Sequence, residues 1–303
     1  MKKWTKIMLI TGMICFAVGL AICIVTSAFG AGTVAMDMAA DGKLSLAHVP
    51  SWVHFEIGDF DFDEINGTKI ENSDEMIALT KEANQISALD LEIGGVELVL
   101  RESEDENFYL QNQTNIKMEY KIDGKTLRVQ SKNKHATYNG MVYLYMPKDY
   151  CLEELDIELG AGAIENETEI TASTLNITVG AGQVILSDIT ADTADFELGA
   201  GQLELTESTV TNLDAEISMG EMIYEGSILG DTDAECAMGS IQFDLEGEVE
   251  DFNYNVECGA GDVTIDGNSF AGIVDHNMDH HAKKNMNIDC SMGAISVNFD
   301  SLL

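Results

Sequence analysis

The sequence predicts an all-β protein whose main part is a parallel β-solenoid with rungs of about 19–20 residues. Two observations support this class. Apolar and polar residues alternate with period two over many short segments, which is typical of strands. A small-residue corner, Gly-Ala-Gly or Ser-Met-Gly, follows these segments repeatedly. The last glycines of the corners stand at 162, 182, 201, 220, 239, 261 and 293, so the step stays near 19 residues until a final interval of 32.

Each repeat is predicted to contain two short strands that meet at the corner. A step of this length has no room for a crossover helix, so equivalent strands are expected to stack in parallel. We expect the corner glycines to adopt positive φ angles, which the lack of a Cβ permits. The predicted interior columns are Leu159, Val179, Leu198, Ile217, Cys236, Cys258 and Cys290, and Ile164, Val184, Leu203, Met222, Ile241, Val263 and Ile295.

The N-terminus is predicted to anchor the chain in a membrane. Lys2, Lys3 and Lys6 precede an uncharged run whose most apolar part covers residues 7–25, about the length that a membrane span needs. The lysines before the span predict a cytoplasmic tail at 1–6, one transmembrane helix at 7–29 and an extracytoplasmic remainder at the cell membrane. Cleavage near Ala28, which would release a secreted protein, is the alternative.

Three segments are predicted after the anchor: a juxtamembrane linker at 30–85, an N-terminal β cap with the first rung at 86–153, and the solenoid repeats at 154–303. Residues 89–100 look like an opening copy of the repeat with a shortened corner. Asp123-Gly124 lies between alternating segments and predicts a hairpin. Another strand is predicted at 141–146. An antiparallel cap made from these strands would protect the edge of the first rung.

Negative charge dominates the surface. The formal net charge is −37, and residues 151–282 contain 30 Asp and Glu but no Lys or Arg. This excludes nucleic-acid binding, because phosphate contacts need basic side chains. The predicted outward positions form a ladder of Asp156, Glu158, Asp195, Glu197, Asp214, Glu216, Asp233 and Glu235. Stacked like charges repel, and Ca²⁺, Mg²⁺ or a polycationic partner is a candidate to offset the cost. The interpretation that the charge only keeps the surface soluble is favoured over a specific cation site, because no loop offers the irregular oxygen cage that Ca²⁺ usually takes.

Histidine and cysteine suggest further sites, each with a simpler alternative. His276, His280 and His281 fall in the long final interval, in an insertion of about 13 residues that we expect to loop out. They could hold Zn²⁺ or Ni²⁺, or they could be solvated loop residues. The cysteines of the first interior column are expected to be buried free thiols. A disulfide between Cys236 and Cys258 is the alternative.

Particular motifs resemble a known family. Tyr145-Met146-Pro147-Lys148-Asp149 leads into the first full repeat, the corners recur, and Ser291-Met292-Gly293-Ala294-Ile295 forms a late rung. With the N-terminal anchor, these features resemble the putative-adhesin domain-of-unknown-function family of membrane-anchored surface proteins, common in Gram-positive bacteria. The resemblance spans residues 86–299. It implies a β-solenoid envelope protein, sometimes found beside cell-envelope stress systems, with no established ligand and no catalytic residues.

The predicted function is therefore binding rather than catalysis, as an adhesin or a cell-envelope stress accessory with a cell-envelope polymer or protein as partner. A self-assembling envelope scaffold is the first alternative, because nothing in the sequence obviously caps the last rung. A polysaccharide-cleaving enzyme is the second. The acids repeat uniformly and do not single out one catalytic pair, so no enzyme activity is expected.

Overall fold

The computed structural model describes residues 65–80, 86–131 and 140–300. The described chain is almost entirely β-structure, with one 3₁₀ turn at Val249–Asp251. The strands are β1 (Thr68–Ile70), β2 (Ile77–Ala78), β3 (Ala88–Ile93), β4 (Val96–Glu102), β5 (Tyr109–Asn112), β6 (Met118–Asp123), β7 (Thr126–Ser131), β8 (Met141–Met146), β9 (Cys151–Leu159), β10 (Gly162–Asn166), β11 (Ile170–Val179), β12 (Gln183–Ser187), β13 (Ile189–Leu198), β14 (Gln202–Ile217), β15 (Glu221–Ile228), β16 (Thr232–Cys236), β17 (Ser240–Glu246), β18 (Phe252–Cys258), β19 (Asp262–Ile265), β20 (Asn268–Ala271), β21 (Val274–Met278), β22 (Lys284–Cys290) and β23 (Ala294–Asp300).

The predicted parallel β-solenoid is confirmed. Equivalent strands of successive repeats pair in parallel and in register, as β9, β11 and β13 do. The rungs have two main faces. The front face has the strand order β1-β6-β7-β3-β9-β11-β13-β14-β16-β22-β18-β21. The back face has the order β2-β5-β8-β4-β10-β12-β14-β15-β17-β23-β19-β20.

The order of the last rungs differs from the order of the sequence. The rung of β22 and β23 lies between that of β16 and β17 and that of β18 and β19. Both predicted interior columns keep their members, and all are buried. In the first column, however, Cys290 separates Cys236 from Cys258. A Cys236–Cys258 disulfide is therefore excluded, and the four described cysteines are free.

Close packing between rungs, more than positive φ, explains the corner glycines. Among the glycines at the third position of the described corners, only Gly162 has a left-handed φ, at +126°. At Gly239 an added Cβ would lie 2.2 Å from the carbonyl oxygen of Gly220 in the rung below, and at Gly201 it would lie 2.6 Å from that of Gly182. Real Cβ atoms do not approach so closely. The glycines allow the corners to stack at the spacing of the strands.

The cap is three strands deep on each face. The strands that pair with the first rung, β7 and β8, run parallel to it, which corrects the prediction of an antiparallel cap at this boundary. The antiparallel strands β6 and β5 lie one layer further out, and the predicted Asp123-Gly124 hairpin joins β6 to β7. Strands β1 and β2 pair outside them, so part of the predicted 30–85 linker belongs to the cap. Buried Asn112 ties this layer together, since its Nδ2 donates to the Ile70 carbonyl at 3.1 Å.

The insertion in the last interval covers the other end of the solenoid. It does not loop out as predicted. Strand β20 pairs antiparallel with β19, and β21 pairs antiparallel with β18. The segment folds this way because the swapped rung order leaves β18 and β19 with a free edge, and the insertion supplies the missing hydrogen bonds. The sequence-based reason for end-to-end assembly, an uncapped last rung, is therefore wrong.

The predicted membrane anchor at 7–29 lies outside the described residues, as do the predicted tail at 1–6 and residues 301–303. Within the described ranges, no helix is long and apolar enough to span a membrane. The anchor and the membrane location stay predictions.

Candidate functional site

Two columns of mainly acidic side chains run along the front face, and we call them the acidic face. Alternation along each strand turns these residues outward while their neighbours fill the core. In spatial order the first column is Asp90, Asp156, Asn176, Asp195, Asp214, Asp233, Asn287 and Asn255, and the second is Glu92, Glu158, Thr178, Glu197, Glu216, Glu235, Asp289 and Glu257. The structure thus brings together all eight ladder residues that the sequence predicts.

The back face does not carry a matching ladder. Its outward positions hold small, amide and aliphatic side chains beside scattered acids. The equivalent columns are Glu97, Ala163, Gln183, Gln202, Glu221, Ser240, Ala294 and Asp262, and Val99, Glu165, Ile185, Glu204, Ile223, Gln242, Ser296 and Thr264. These two columns therefore hold fewer carboxylates than the two columns of the acidic face.

The cap neutralises the first rung of the acidic face. The Arg128 Nε donates to Asp90 Oδ2 at 2.6 Å, and the Gln130 amide donates to Glu92. Burial is the main reason that the pKa of Glu92 is raised, and the Gln130 hydrogen bond opposes it. These partners could not be predicted from the sequence, because only the parallel pairing of β3 with β7 brings them next to the acids.

Further along, the carboxylates of the columns perturb one another. Burial first, and then the charge of neighbouring Asp90, raise the pKa of Asp156 to about 6. At Asp214 burial again comes first, followed by the charges of Asp195 and Asp233 in the rungs on either side, and the pKa is raised. Like charges on adjacent strands are destabilising, which is the cost that the sequence predicts.

The swapped rung changes the composition of the columns where it enters. Asn287, not Asn255, lies beside Asp233, and its Nδ2 donates to Asp233 Oδ1 at 2.6 Å. Asp289 extends the second column beyond Glu235. A shallow groove of about 110 Å³ lies at this junction, and its lining includes Glu216, Glu235 and Asp289 together with Ser218, Ala237 and Ser291. Three carboxylates from three rungs thus open into one concave surface.

The three predicted histidine ligands do not converge. His276 lies in β21 with its ring 5.4 Å from that of Phe270. The Nδ1 of His280 is 2.9 Å from the carbonyl oxygen of Phe252. His281 contacts Asp279 at 3.1 Å. In the part of the chain that the structure describes, no group of three or more His, Cys, Asp or Glu side chains is arranged to hold a metal ion. Binding of Zn²⁺ or Ni²⁺ by the histidines, and of Ca²⁺ or Mg²⁺ by the acidic face, stays a prediction.

Solved structures with a similar chain path come from several bacteria. One is described as a putative adhesin from Bacteroides fragilis, with 14% identity, a TM-score of 0.42, and coverage of 75% of this chain and 99% of that one. A putative cell adhesion protein from Clostridium sporogenes has 13% identity, a TM-score of 0.31, and coverage of 75% and 99%. A putative lipid binding protein from Parabacteroides distasonis has 13% identity, a TM-score of 0.33, and coverage of 77% and 98%.

No curated protein matches the sequence. The model of one family, described as Toastrack DUF4097, matches residues 86–298, which is most of the chain and runs from just before β3 into β23. This range agrees with the span of the resemblance found in the sequence. The chain belongs to the Toastrack DUF4097 family.

Proposed function

We propose that this protein is a non-enzymatic binding protein of the cell envelope, anchored by residues 7–29, that uses its acidic face to bind a polycationic envelope component. The observation that carries the proposal is the uninterrupted second column of Glu197, Glu216, Glu235, Asp289 and Glu257 on five neighbouring strands. Strands in a sheet lie about 4.8 Å apart, so a flexible cationic polymer can satisfy several carboxylates at once.

The charge pattern favours binding over catalysis. An acid–base enzyme needs carboxylates whose environments separate their pKa values, so that one is an acid and another a base. The second column instead presents a carboxylate at the same position of five neighbouring strands, from Glu197 to Glu257. A bound cation weakens the repulsion among the carboxylates of this column, so binding offsets part of the electrostatic free energy that folding costs.

The test compares matched charge changes on the two faces of the full-length protein in zwitterionic nanodiscs. Fluorescent poly-lysine is the probe, with empty nanodiscs as the blank. We expect Glu216→Gln/Glu235→Gln/Asp289→Asn to weaken binding by roughly tenfold or more, because three clustered contacts are lost. The control, Glu165→Gln/Glu204→Gln/Glu221→Gln, makes the same change in net charge on the back face and is expected to have a much smaller effect. Equal losses in the two variants would show that net charge alone attracts the polymer.

The proposed divalent-cation site has a separate test. Isothermal titration with CaCl₂ or MgCl₂ is expected to give heats that the front-face variant loses and the back-face variant keeps. Equal heats from both variants would contradict a cation site on the acidic face.

The proposed extracytoplasmic location can be checked through the exposed thiol of Cys151. The other described cysteines, at 236, 258 and 290, are buried. A membrane-impermeant maleimide is expected to label the protein in intact cells or spheroplasts, and Cys151→Ser is expected to remove the label. Labelling that appears only after lysis would place the solenoid in the cytoplasm.

A further inference from the structure

Three exposed methionines occupy one side of the solenoid. The middle residue of each corner is Ala161, Ala181 or Ala200 in the earlier rungs and Ala260 in the rung of β18 and β19. In the three rungs between them it is methionine. Met219, Met238 and Met292 have 57%, 50% and 46% of their surface exposed, and we call them the methionine ridge.

The swapped rung order makes this ridge continuous. The Met238 amide donates to the Ser218 carbonyl at 2.8 Å, and the Met292 amide donates to the Ala237 carbonyl at 2.8 Å. The three methionines therefore stand on consecutive rungs, about 4.8 Å apart. In sequence order, Ala260 would interrupt the series. Exposed methionines in a row are unusual on a soluble surface, and flexible thioethers adapt to varied apolar partners.

The ridge runs beside the acidic groove. Each methionine follows a groove carboxylate by three residues: Glu216, Glu235 and Asp289. The groove also includes Ser218, Ala237 and Ser291, which directly precede the methionines. An apolar line and an acidic line thus extend in parallel across the same three rungs.

Charge decides which partner fits. A second copy would bring another chain of net charge −37 against the acidic line, and an anionic lipid surface would also be repelled. A polycation without apolar groups would leave the methionines uncovered. The complementary partner is both cationic and amphipathic.

The spacing favours a helix as that partner. An α-helix rises about 1.5 Å per residue and turns every 5.4 Å or so, close to the rung spacing of about 4.8 Å. Over three rungs the mismatch adds up to only about 1 Å, which flexible methionine side chains can absorb. We propose that the methionine ridge and the groove dock a basic amphipathic helix of a peptide or partner protein. The apolar side of the helix lies on the methionines, and its lysines or arginines lie on the carboxylates. This role rests on the proposed binding role of the acidic face.

The test uses the full-length protein in zwitterionic nanodiscs, with empty nanodiscs as the blank. The probe is a fluorescent 18-residue Leu/Lys peptide with leucines at helical spacing, compared with a scrambled peptide of the same composition. Met219→Ala/Met238→Ala/Met292→Ala installs the residue that the other corners already carry, so folding is expected to be preserved and is checked by thermal unfolding. We expect the periodic peptide to bind the wild type about tenfold more tightly than the scrambled one, and the triple variant to lose that preference. Met76→Ala/Met141→Ala, at exposed methionines away from the ridge, is expected to keep it.

The outcomes separate this proposal from the one on which it rests. Failure of poly-lysine to bind the wild type would overturn both. Binding of poly-lysine, combined with equal affinity for the periodic and scrambled peptides, would overturn only the helix-docking role. The docking role would also be overturned if the triple variant bound the periodic peptide as the wild type does. A dimer in sedimentation that the triple variant abolishes would assign the ridge to a second copy instead.

Discussion

Replacing Asp156 with asparagine is expected to stabilise the protein above neutral pH. Asp156 stands in the first column between Asp90 and Asn176, so the neighbouring rung already holds an amide at the equivalent position. The pKa of the Asp156 carboxyl is raised from 3.8 to about 6, first by burial and then by the charge of Asp90. The folded protein therefore opposes ionisation of this side chain.

The size of the effect follows from the pKa. Each pKa unit corresponds to about 1.4 kcal/mol, so the full shift corresponds to roughly 3 kcal/mol. Solvent screens a side chain that is only about half buried, so we expect a gain of about 1–3 kcal/mol in the free energy of unfolding. For a domain of this size, that corresponds to an increase of about 3–10 °C in Tm.

The raised pKa of Asp156 also determines how the stabilisation of the variant changes with pH. Because the folded pKa lies above the unfolded value, the protonated carboxyl stabilises the fold below about pH 4, and this contribution is lost as the pH rises through about 6. The asparagine side chain does not ionise, so the variant does not lose stability in this pH range for that reason. The difference in Tm between Asp156→Asn and wild type is therefore expected to be small at pH 4 and largest above pH 7.

Thermal unfolding followed by circular dichroism from pH 4 to pH 8 measures this difference. Asp192→Asn is the control, because it makes the same charge change at an exposed position of β13. A variant that is equally or less stable than wild type at pH 8, or a gain that does not change with pH, would refute the reasoning.

Three further predictions test the architecture. Gly239→Ala is expected to destabilise the protein by about 1–3 kcal/mol in chemical denaturation, since its Cβ would lie 2.2 Å from a carbonyl oxygen. Gly199→Ala is expected to destabilise it less, because the nearest atom to that Cβ is at 3.0 Å. A larger loss of stability in Gly199→Ala than in Gly239→Ala would contradict the stacking explanation. In a Cys151→Ser background, Asp233→Cys/Asn287→Cys is expected to be linked by a bifunctional thiol reagent that spans about 5 Å, because these exposed residues are directly opposed on β16 and β22. Asp233→Cys/Asn255→Cys, whose residues would be neighbours if the rungs stacked in sequence order, is not expected to be linked. Peptide mapping that found only this second link would refute the swapped rung order. Tyr224→Phe is expected to cost about 1–2 kcal/mol, because the buried hydroxyl donates toward the carbonyls of Ser208 and Ser227 at 3.1 and 2.9 Å. Tyr109→Phe serves for comparison, since the partly exposed Tyr109 donates only to the surface carboxylate of Asp105. Equal stability of Tyr224→Phe and wild type would refute the role of the hydroxyl.

Local pattern was enough to predict the rungs. Period-two alternation determines which side chains face inward, and the step near 19 residues determines which of them are equivalent. The membership of both interior columns and of the acidic ladder follows from these two facts. The opening copy at β3 and β4 and the Asp123-Gly124 hairpin were also predicted correctly.

The order of the rungs was beyond the reach of such patterns. All rungs share nearly the same inward sequence, so each can pair with any other through the same backbone hydrogen bonds, and a local motif cannot say which neighbour is chosen. Only the tertiary structure places β22 and β23 between two rungs that are consecutive in the chain. That placement turns the insertion into the cap of the exposed edge, separates Cys236 from Cys258, and brings Asp289 and Met292 beside residues more than fifty positions earlier. The sequence by itself determined which residues face out; the tertiary structure decided which of them stand together, because strand pairing depends on the edges that the rest of the fold leaves open.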